Sequence, residues 1–291
     1  GGCGMTLAKE ILSTTATKAF LSILMGFLVG AIFMMVSGQD VAKAWEAGGF
    51  LDALGAALTT VGDGYSALFR GSIYNTRADD LVTALRPMTE TLRLAGPLIA
   101  AGLGISLGFR VGLFNIGGNG QMLFGILWAT WISTRVELPL VIHMVVALVV
   151  GILGAALWGA LVGYLKAQTG AHEVILTIML NYVAISLFTW FIRSPDLLQQ
   201  ESAGGTPKAD APALTAQLPA LFPGTYALHL GFVLAVLATV TYWWLMERSV
   251  IGYRFRMAGH NPHAARTAGM SVERTYVLAM AVSAALRGVA G

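Results

Sequence analysis

The sequence predicts an all-α fold: a polytopic integral membrane bundle in which one helix is interrupted. Three observations predict it. Hydrophobic residues fill 56% of the 291 positions and charged residues only 11%, where soluble domains carry about 25% charged residues. Mean hydropathy is +0.71, and the chain holds repeated uncharged runs near the ~20 residues a helix needs to cross a hydrocarbon core. Inside one such run, GLFNIGGNGQ sets Asn115, Asn119 and Gln121 among Gly112, Gly117, Gly118 and Gly120. Buried amides need partners, because leaving them unpaired is costly. Backbone can break at membrane depth only where it lines a cavity or is covered by protein. The stretch therefore reads as an interrupted membrane helix facing a polar path or another helix, with a short interhelical loop as the alternative.

The elements follow in chain order. GGCG, ahead of Met5, reads as an upstream extension, and residues 5–18 as a mixed segment on the cytoplasmic surface. Residues 20–37 form the first run long enough to span, and the spacing of Gly26 and Gly30 allows close helix contact. Residues 38–87 differ. Asp40, Glu46, Asp52, Asp63, Asp79 and Asp80 alternate with Trp45, Phe50, Leu51, Leu54 and Leu58 at roughly helical spacing. That pattern predicts one or two amphipathic helices in an outer region, packed on the membrane face or the bundle.

Further spans are predicted over residues 94–109, 113–132, 138–165, 174–192 and 228–246, and another begins at 276. The span over 138–165 carries Gly151, Gly154, Gly159 and Gly163, which suits a face packed tightly on a neighbour. Residues 194–226 form a proline-rich outer loop with little regular structure expected. Trp243 and Trp244 mark a membrane interface. Residues 247–274 read as a polar, basic loop. Within it Gly259, Asn261 and Pro262 predict a turn, and residues 262–269 a short helix opened by proline and closed by Gly269. The last apolar run stops at Gly291 when barely of spanning length, so a carboxy-terminal truncation is expected.

Lysine and arginine divide almost evenly between the two sides. The dense cluster of Arg248, Arg254, Arg256, Arg266 and Arg274, set against acidic long loops on the other side, places residues 247–274 in the cytoplasm.

Several chemistries are excluded. The net charge is only +3, and no basic block occurs, which argues against nucleic acid. Cys3 is the single cysteine, so no intrachain disulfide can form. The sequence has no Walker A, HExxH or GxGxxG pattern and offers neither catalytic nor metal-ligating sets. Residues 104–108 do match GxSxG around Ser106, but that motif works on a strand-to-helix turn with His and acid partners. Here it lies in an apolar run. A second polar stretch is HEVILTIMLNY. Glu173 suits a helix amino terminus, and Asn181, an amide within a span, suits either an interhelical hydrogen bond or substrate contact.

Together, GLFNIGGNGQMLFG, HEVILTIMLNY and GHNPHAARTAGMSVER resemble motifs of bacterial ABC importer permeases, in the ribose, branched-chain amino acid and nucleoside permease family. The nucleoside and simple-sugar branch looks closest, and the resemblance runs from residue 65 to the end. It implies one permease domain over residues 1–291 in the bacterial inner (plasma) membrane. Asn115, Asn119, Gln121, Glu173 and Asn181 would belong to the substrate path, and Gly259, Asn261, Ala265 and Gly269 to coupling with a cytoplasmic ABC ATPase. The implied partners are that ATPase, a second permease subunit, an extracytoplasmic substrate-binding protein and the lipid bilayer. The chain itself would be no enzyme and need no cofactor, ATP being bound and hydrolysed by the partner.

Three positions depart from the family pattern: Asn119 stands where an acid is usual, His172 where Asn is common, and Arg287 where a small residue is usual. A charge at that depth is expensive unless paired, so Arg287 is expected near an interface or paired with a following segment. Rival readings are an ion-coupled secondary transporter, which needs an ionisable residue at its broken helices, an intramembrane enzyme, and a non-transporting scaffold subunit.

Overall fold

A computed structural model of the chain describes residues 15–200, 206–222, 226 and 228–291. The expected surface segment over 5–18 lies mostly outside them, as does part of the proline-rich loop. Among the described residues there are 11 α-helices and no β-strand. The chain divides into two compact units, residues 1–88 and 89–291.

The first unit holds α1 (Thr15–Ser37), α2 (Gln39–Gly48) and α3 (Phe50–Ser72). Large apolar side chains of α1 such as Phe20, Ile23, Phe27 and Phe33 are all exposed, as expected of a helix solvated by lipid. Where α2 passes into α3, Gly49 takes φ +77°, a value that favours glycine. The expected amphipathic helices are thus α2 and α3, of which α3 buries only Ala53 and Ala57. The Tyr65 hydroxyl donates to the Phe27 carbonyl. A Cβ on Gly30 would lie 3.0 Å from that hydroxyl, whereas one on Gly26 would meet nothing within 4 Å. Only one of the two glycines therefore serves a close approach.

α4 (Leu81–Arg110) begins well before residue 94. Asp80 caps it, its carboxylate accepting from the Thr83 amide at 3.1 Å. The Thr83 hydroxyl and then its amide hold that carboxyl below the usual range. The expected span captured only the apolar part of a helix whose first turns are polar.

The second unit continues with α5 (Gly118–Arg135), α6 (Leu140–Thr169), α7 (Glu173–Arg193), a 3₁₀ turn (Leu214–Ala216), α8 (Gly231–Arg248), α9 (Val250–His260), α10 (Pro262–Thr267) and α11 (Val272–Gly288). Four helices, α1, α4, α6 and α7, are long and apolar enough to cross a membrane. α5, α8 and α11 have 18, 18 and 17 residues, at the short end of the spanning range of about 17–25. The protein is therefore an all-α, multi-pass membrane protein.

α6 is the central post of this unit. A Cβ on Gly159 would come within 2.4 Å of the Met280 carbonyl on α11, and one on Gly154 within 2.3 Å of the Trp128 ring on α5. The glycine face predicted from sequence thus packs on two helices. Leu107, Val162, Met246, Phe255 and Met280 join α4, α6, α8, α9 and α11 in one buried cluster.

The basic segment over 247–274 is not a loop. It is the end of α8, all of α9 and α10, and the start of α11. Ser249 caps α9 through the Gly252 amide at 2.9 Å, and Ser271 caps α11 through the Arg274 amide at 3.4 Å. Polar composition suggested solvent, but serine caps let polar sequence fold as short helices. Gly259 consequently sits in the last turn of α9, and the turn narrows to Asn261.

Candidate functional site

Residues 111–117 leave the helix between α4 and α5. Every backbone polar group there that is buried must find a partner, and the partners define the site. The first amides fold back on α4: the Leu113 amide donates to the Gly108 carbonyl at 2.9 Å, and Gly112 turns the chain with φ +74°. Beyond this turn the helical ladder has no more to offer, and side chains take over.

Glu173 supplies the first. Its carboxylate accepts from the Phe114 amide at 3.2 Å and from Lys166 Nζ at 2.6 Å. The N-cap of α7 is His172, whose Nδ1 accepts from the Val174 amide at 3.4 Å. Glu173 follows it in the first turn, where its charge favours the dipole, and also ties the end of α6 to the interruption.

Asn115 comes next, buried on the inner side. Its Oδ1 accepts from the Gly117 amide at 3.0 Å and from Gln121 Nε2 at 3.2 Å, and its Nδ2 donates to Ser283 Oγ at 3.1 Å. Ser283 in turn donates to the Gly104 carbonyl at 2.7 Å. Arg287 completes the cluster. Its guanidinium donates to Gln121 Oε1 at 2.6 Å and to the Asn115 carbonyl at 2.9 Å. Gln121 and Arg287 are 0% and 2% exposed. Arg287 therefore lies neither at an interface nor without partners, and its acceptors belong to the motif itself.

Asn181 holds the far side. Its Nδ2 donates to the Ile116 carbonyl at 3.2 Å and its Oδ1 accepts from the Gly120 amide at 2.9 Å. One amide side chain thus satisfies one group before the break ends and one after it. Asn119 stands apart, exposed on the first turn of α5 and hydrogen-bonded to none of these residues. The structure so brings Asn115, Gln121, Glu173 and Asn181 around one segment. Sequence reasoning did not single out Lys166 and Ser283 for it. Lys166 could have been found as the one cation beside Glu173; Ser283 gave no signal.

A cavity of about 420 Å³ in the same unit is lined by Pro97, Thr130, Ser133, His229 and Gly288 among others, and by none of the predicted path residues. Ser106 lies mid-helix in α4, hydrogen-bonded to the Tyr242 hydroxyl at 2.7 Å. It occupies no strand-to-helix turn, and the hydrolase motif is a chance match. No group of three or more metal-ligating side chains occurs among the described residues.

The predicted coupling residues form a second, adjoining assembly. Asn261 Oδ1 accepts from the His263 and Ala264 amides at 3.0 and 3.1 Å, capping α10. Ala265 is buried, and its carbonyl accepts from the Met270 amide at 3.0 Å past Gly269, which takes φ +79°. Gly259 meets the interruption directly: a Cβ there would lie 2.3 Å from the Arg110 carbonyl and 3.1 Å from Val111 Cα. Glu247 strengthens this junction, binding Arg110 at 2.6 Å with Arg256 at 3.7 Å.

Comparison with known proteins adds a family to this geometry. The family described as branched-chain amino acid transport system / permease component matches residues 88–291. A guanosine ABC transporter permease protein of Bacillus subtilis is 34% identical over 271 residues, covering 93% of this chain and 69% of the relative. A nucleoside ABC transporter permease protein of Lactococcus lactis subsp. cremoris is 30% identical, covering 93% and 68%. A glucose ABC transporter permease protein of Haloferax volcanii is 31% identical, covering 75% and 59%. No solved structure matches the chain.

Proposed function

The chain belongs to the branched-chain amino acid transport system / permease component family, and from that premise we propose that it is the membrane-spanning subunit of an ABC importer for a nucleoside or a simple sugar. It sits as a multi-pass protein in the bacterial inner membrane. It is not itself an enzyme: the family and the relatives are permease components of ABC transporters, and ATP hydrolysis belongs to a separate cytoplasmic subunit. An extracytoplasmic binding protein delivers substrate, and a second permease subunit completes the path. Residues 1–291 act as one permease domain, with 38–87 and 194–226 on the outer side and 247–274 facing the ATPase.

The observation that carries this reading is the contact of Gly259 with Arg110 and Val111. The assembly that receives the ATPase ends against the first residue of the interruption. A push on α10 therefore reaches residues 111–117 through the last turn of α9 alone. Import requires an element with two arrangements that both ATP binding and substrate can bias. A segment held by side-chain hydrogen bonds from α7 and α11, instead of by its own helix, can exchange partners without unfolding a helix. Asn115, Gln121, Glu173 and Asn181 position this wall of the path, and the exposed Asn119 is the amide free to meet substrate. Gly259, Asn261, Ala265 and Gly269 carry the coupling.

The test is uptake. The chain, co-reconstituted with its second permease subunit, ATPase and binding protein, should accumulate radiolabelled nucleoside or simple sugar only with ATP inside. Hydrolysis of ATP, or accumulation of solute, by the purified chain alone would overturn the reading. A secondary transporter is disfavoured because the ionisable side chains at the interruption are already committed, Arg287 to an amide and a carbonyl and Glu173 to Lys166 and the Phe114 amide.

A further inference from the structure

Around α9 and α11 three arginines are answered by carboxylates, while Arg248 lies over the Trp243 ring and Arg287 is bound to Gln121 and the Asn115 carbonyl. Arg110 and Arg256 share Glu247, and Arg266 pairs with Glu273. Arg254 and Arg274 are different. Both guanidinium groups are exposed, and neither makes an ion pair or side-chain hydrogen bond among the described residues. They line one pocket of about 270 Å³ together with Ser271, Ile251, Phe255 and Leu278. Two cations gathered in a concave site with no anion repel each other, and a negative group entering the site would relieve that repulsion.

The other walls narrow what that group is. Ile251 and Leu278 are 38% and 42% exposed, and Val250 and Tyr253 beside them are exposed as well. On a membrane protein such an aliphatic face, meeting arginines at one end, fits the boundary between hydrocarbon and headgroups at the cytoplasmic side. Trp243 and Trp244, exposed on α8, mark the same boundary. A free phosphate would use the arginines and gain nothing from Ile251 and Leu278. A phosphate ester with acyl chains uses both. We propose that the pocket between Arg254 and Arg274 binds the headgroup phosphate of an anionic phospholipid, whose glycerol and upper acyl chain lie against Ile251 and Leu278. The lipid would sit beside Gly269, so membrane composition would bear on the setting of α10.

The full chain in detergent, without ATPase or substrate, is mixed with phosphatidylglycerol or phosphatidylcholine of the same acyl chains, and bound lipid is counted by native mass spectrometry. Each basic residue near an anionic surface is worth roughly a five-fold change in affinity, so the preference for phosphatidylglycerol is expected to be about thirty-fold. Arg254→Gln with Arg274→Gln should bring it near parity, whereas Arg254→Lys with Arg274→Lys should keep most of it. Helix content by circular dichroism identifies any misfolded variant, in which case the lysine pair and Leu278→Asn, which should weaken lipid while sparing inorganic phosphate, decide. Unchanged preference in the glutamine pair would overturn the proposal. So would displacement of lipid by millimolar inorganic phosphate, which would make this a free-anion site. In a separate retention assay with the ATPase, its loss from the glutamine pair with lipid preference unchanged would overturn the proposal and assign the pocket to that partner instead. Because the lipid measurement involves neither substrate nor ATPase, its failure would leave the import reading standing.

Discussion

Arg287 Nη1 donates to Gln121 Oε1 at 2.6 Å across 166 residues of chain, and both side chains are buried. No carboxylate pairs with this arginine among the described residues. Its charge is answered by dipoles: an amide oxygen and the Asn115 carbonyl. Such dipoles stabilise a desolvated cation only if they are held fixed. Gln121 is held by Asn115, Asn115 by Ser283, and Ser283 by Gly104. Burial of the cation and order in the interruption thus require each other.

Arg287→Leu should loosen the interruption. It orphans the Asn115 carbonyl at a cost of about 1–3 kcal/mol and leaves Gln121 Oε1 only the long bond from Asn115 Nδ2 at 3.4 Å, offset in part by relief of the buried charge. Arg287→Lys can reach only one acceptor at a time, because the ammonium lacks the fork that serves both. The expected order of thermal stability in detergent is wild type, then lysine, then leucine. Equal midpoints for wild type and leucine would show that the cation does not hold the segment.

Asn181→Leu should act on the opposite side. It removes the acceptor of the Gly120 amide and the donor to the Ile116 carbonyl. Hydrogen exchange should speed up at Gly120, the more buried group of the two, with about 1–3 kcal/mol lost there, while the exposed Ile116 carbonyl adds little. Exchange at Gly159, packed on α11 away from this bond, should not change. A general rise at both sites would point to global destabilisation and away from a local tie.

Lys166 and Glu173 form a largely buried pair, their side chains 19% and 10% exposed. Breaking such a pair from one side costs about 3–5 kcal/mol at full burial, and less here because water still reaches it. Glu173→Gln keeps an acceptor for the Phe114 amide but strands Lys166. Glu173→Gln with Lys166→Met should therefore be more stable than Glu173→Gln alone. A double-mutant cycle by thermal melting measures this, and additive losses would deny the coupling.

Much of this was legible in the sequence, and the misses share a cause. Asn115, Gln121 and Asn181 were marked because amides in apolar runs must find partners, and they do. Glycines at 151, 154, 159 and 163 announced a packed face for the same kind of reason: absence of a side chain is itself a local fact. Arg287 was marked as a problem, but its solution lay with residues far along the chain, which no spacing rule reaches. The start of α4 and the whole of α9 were missed because hydropathy registers the medium around a helix, not the helix. Asp80 and Ser249, the caps that make those polar turns helical, are common residues with weak individual signals.

Gly259 gives the sharpest test of coupling, because it separates transmission from stability. A methyl group there would fall 2.3 Å from the Arg110 carbonyl, closer than any real contact, so Gly259→Ala must push α9 away from the start of the interruption. α10 itself would keep its cap, since the Asn261 side chain bonds only to the His263 and Ala264 amides. Asn261→Ala does the reverse: it weakens α10 by about 0.5–2 kcal/mol and leaves the Gly259 contact alone. If α10 is where the ATPase docks and Gly259 is where its movement is passed on, the two variants should fail differently. Asn261→Ala should lower retention of the ATPase on the purified permease. Gly259→Ala should retain it and still hydrolyse ATP while losing most substrate uptake, a loss of coupling that appears as fewer substrate molecules imported per ATP. Identical behaviour of the two variants in both measurements would mean that the contact at Arg110 carries no signal of its own, and that the path from α10 to residues 111–117 runs through some other part of the bundle.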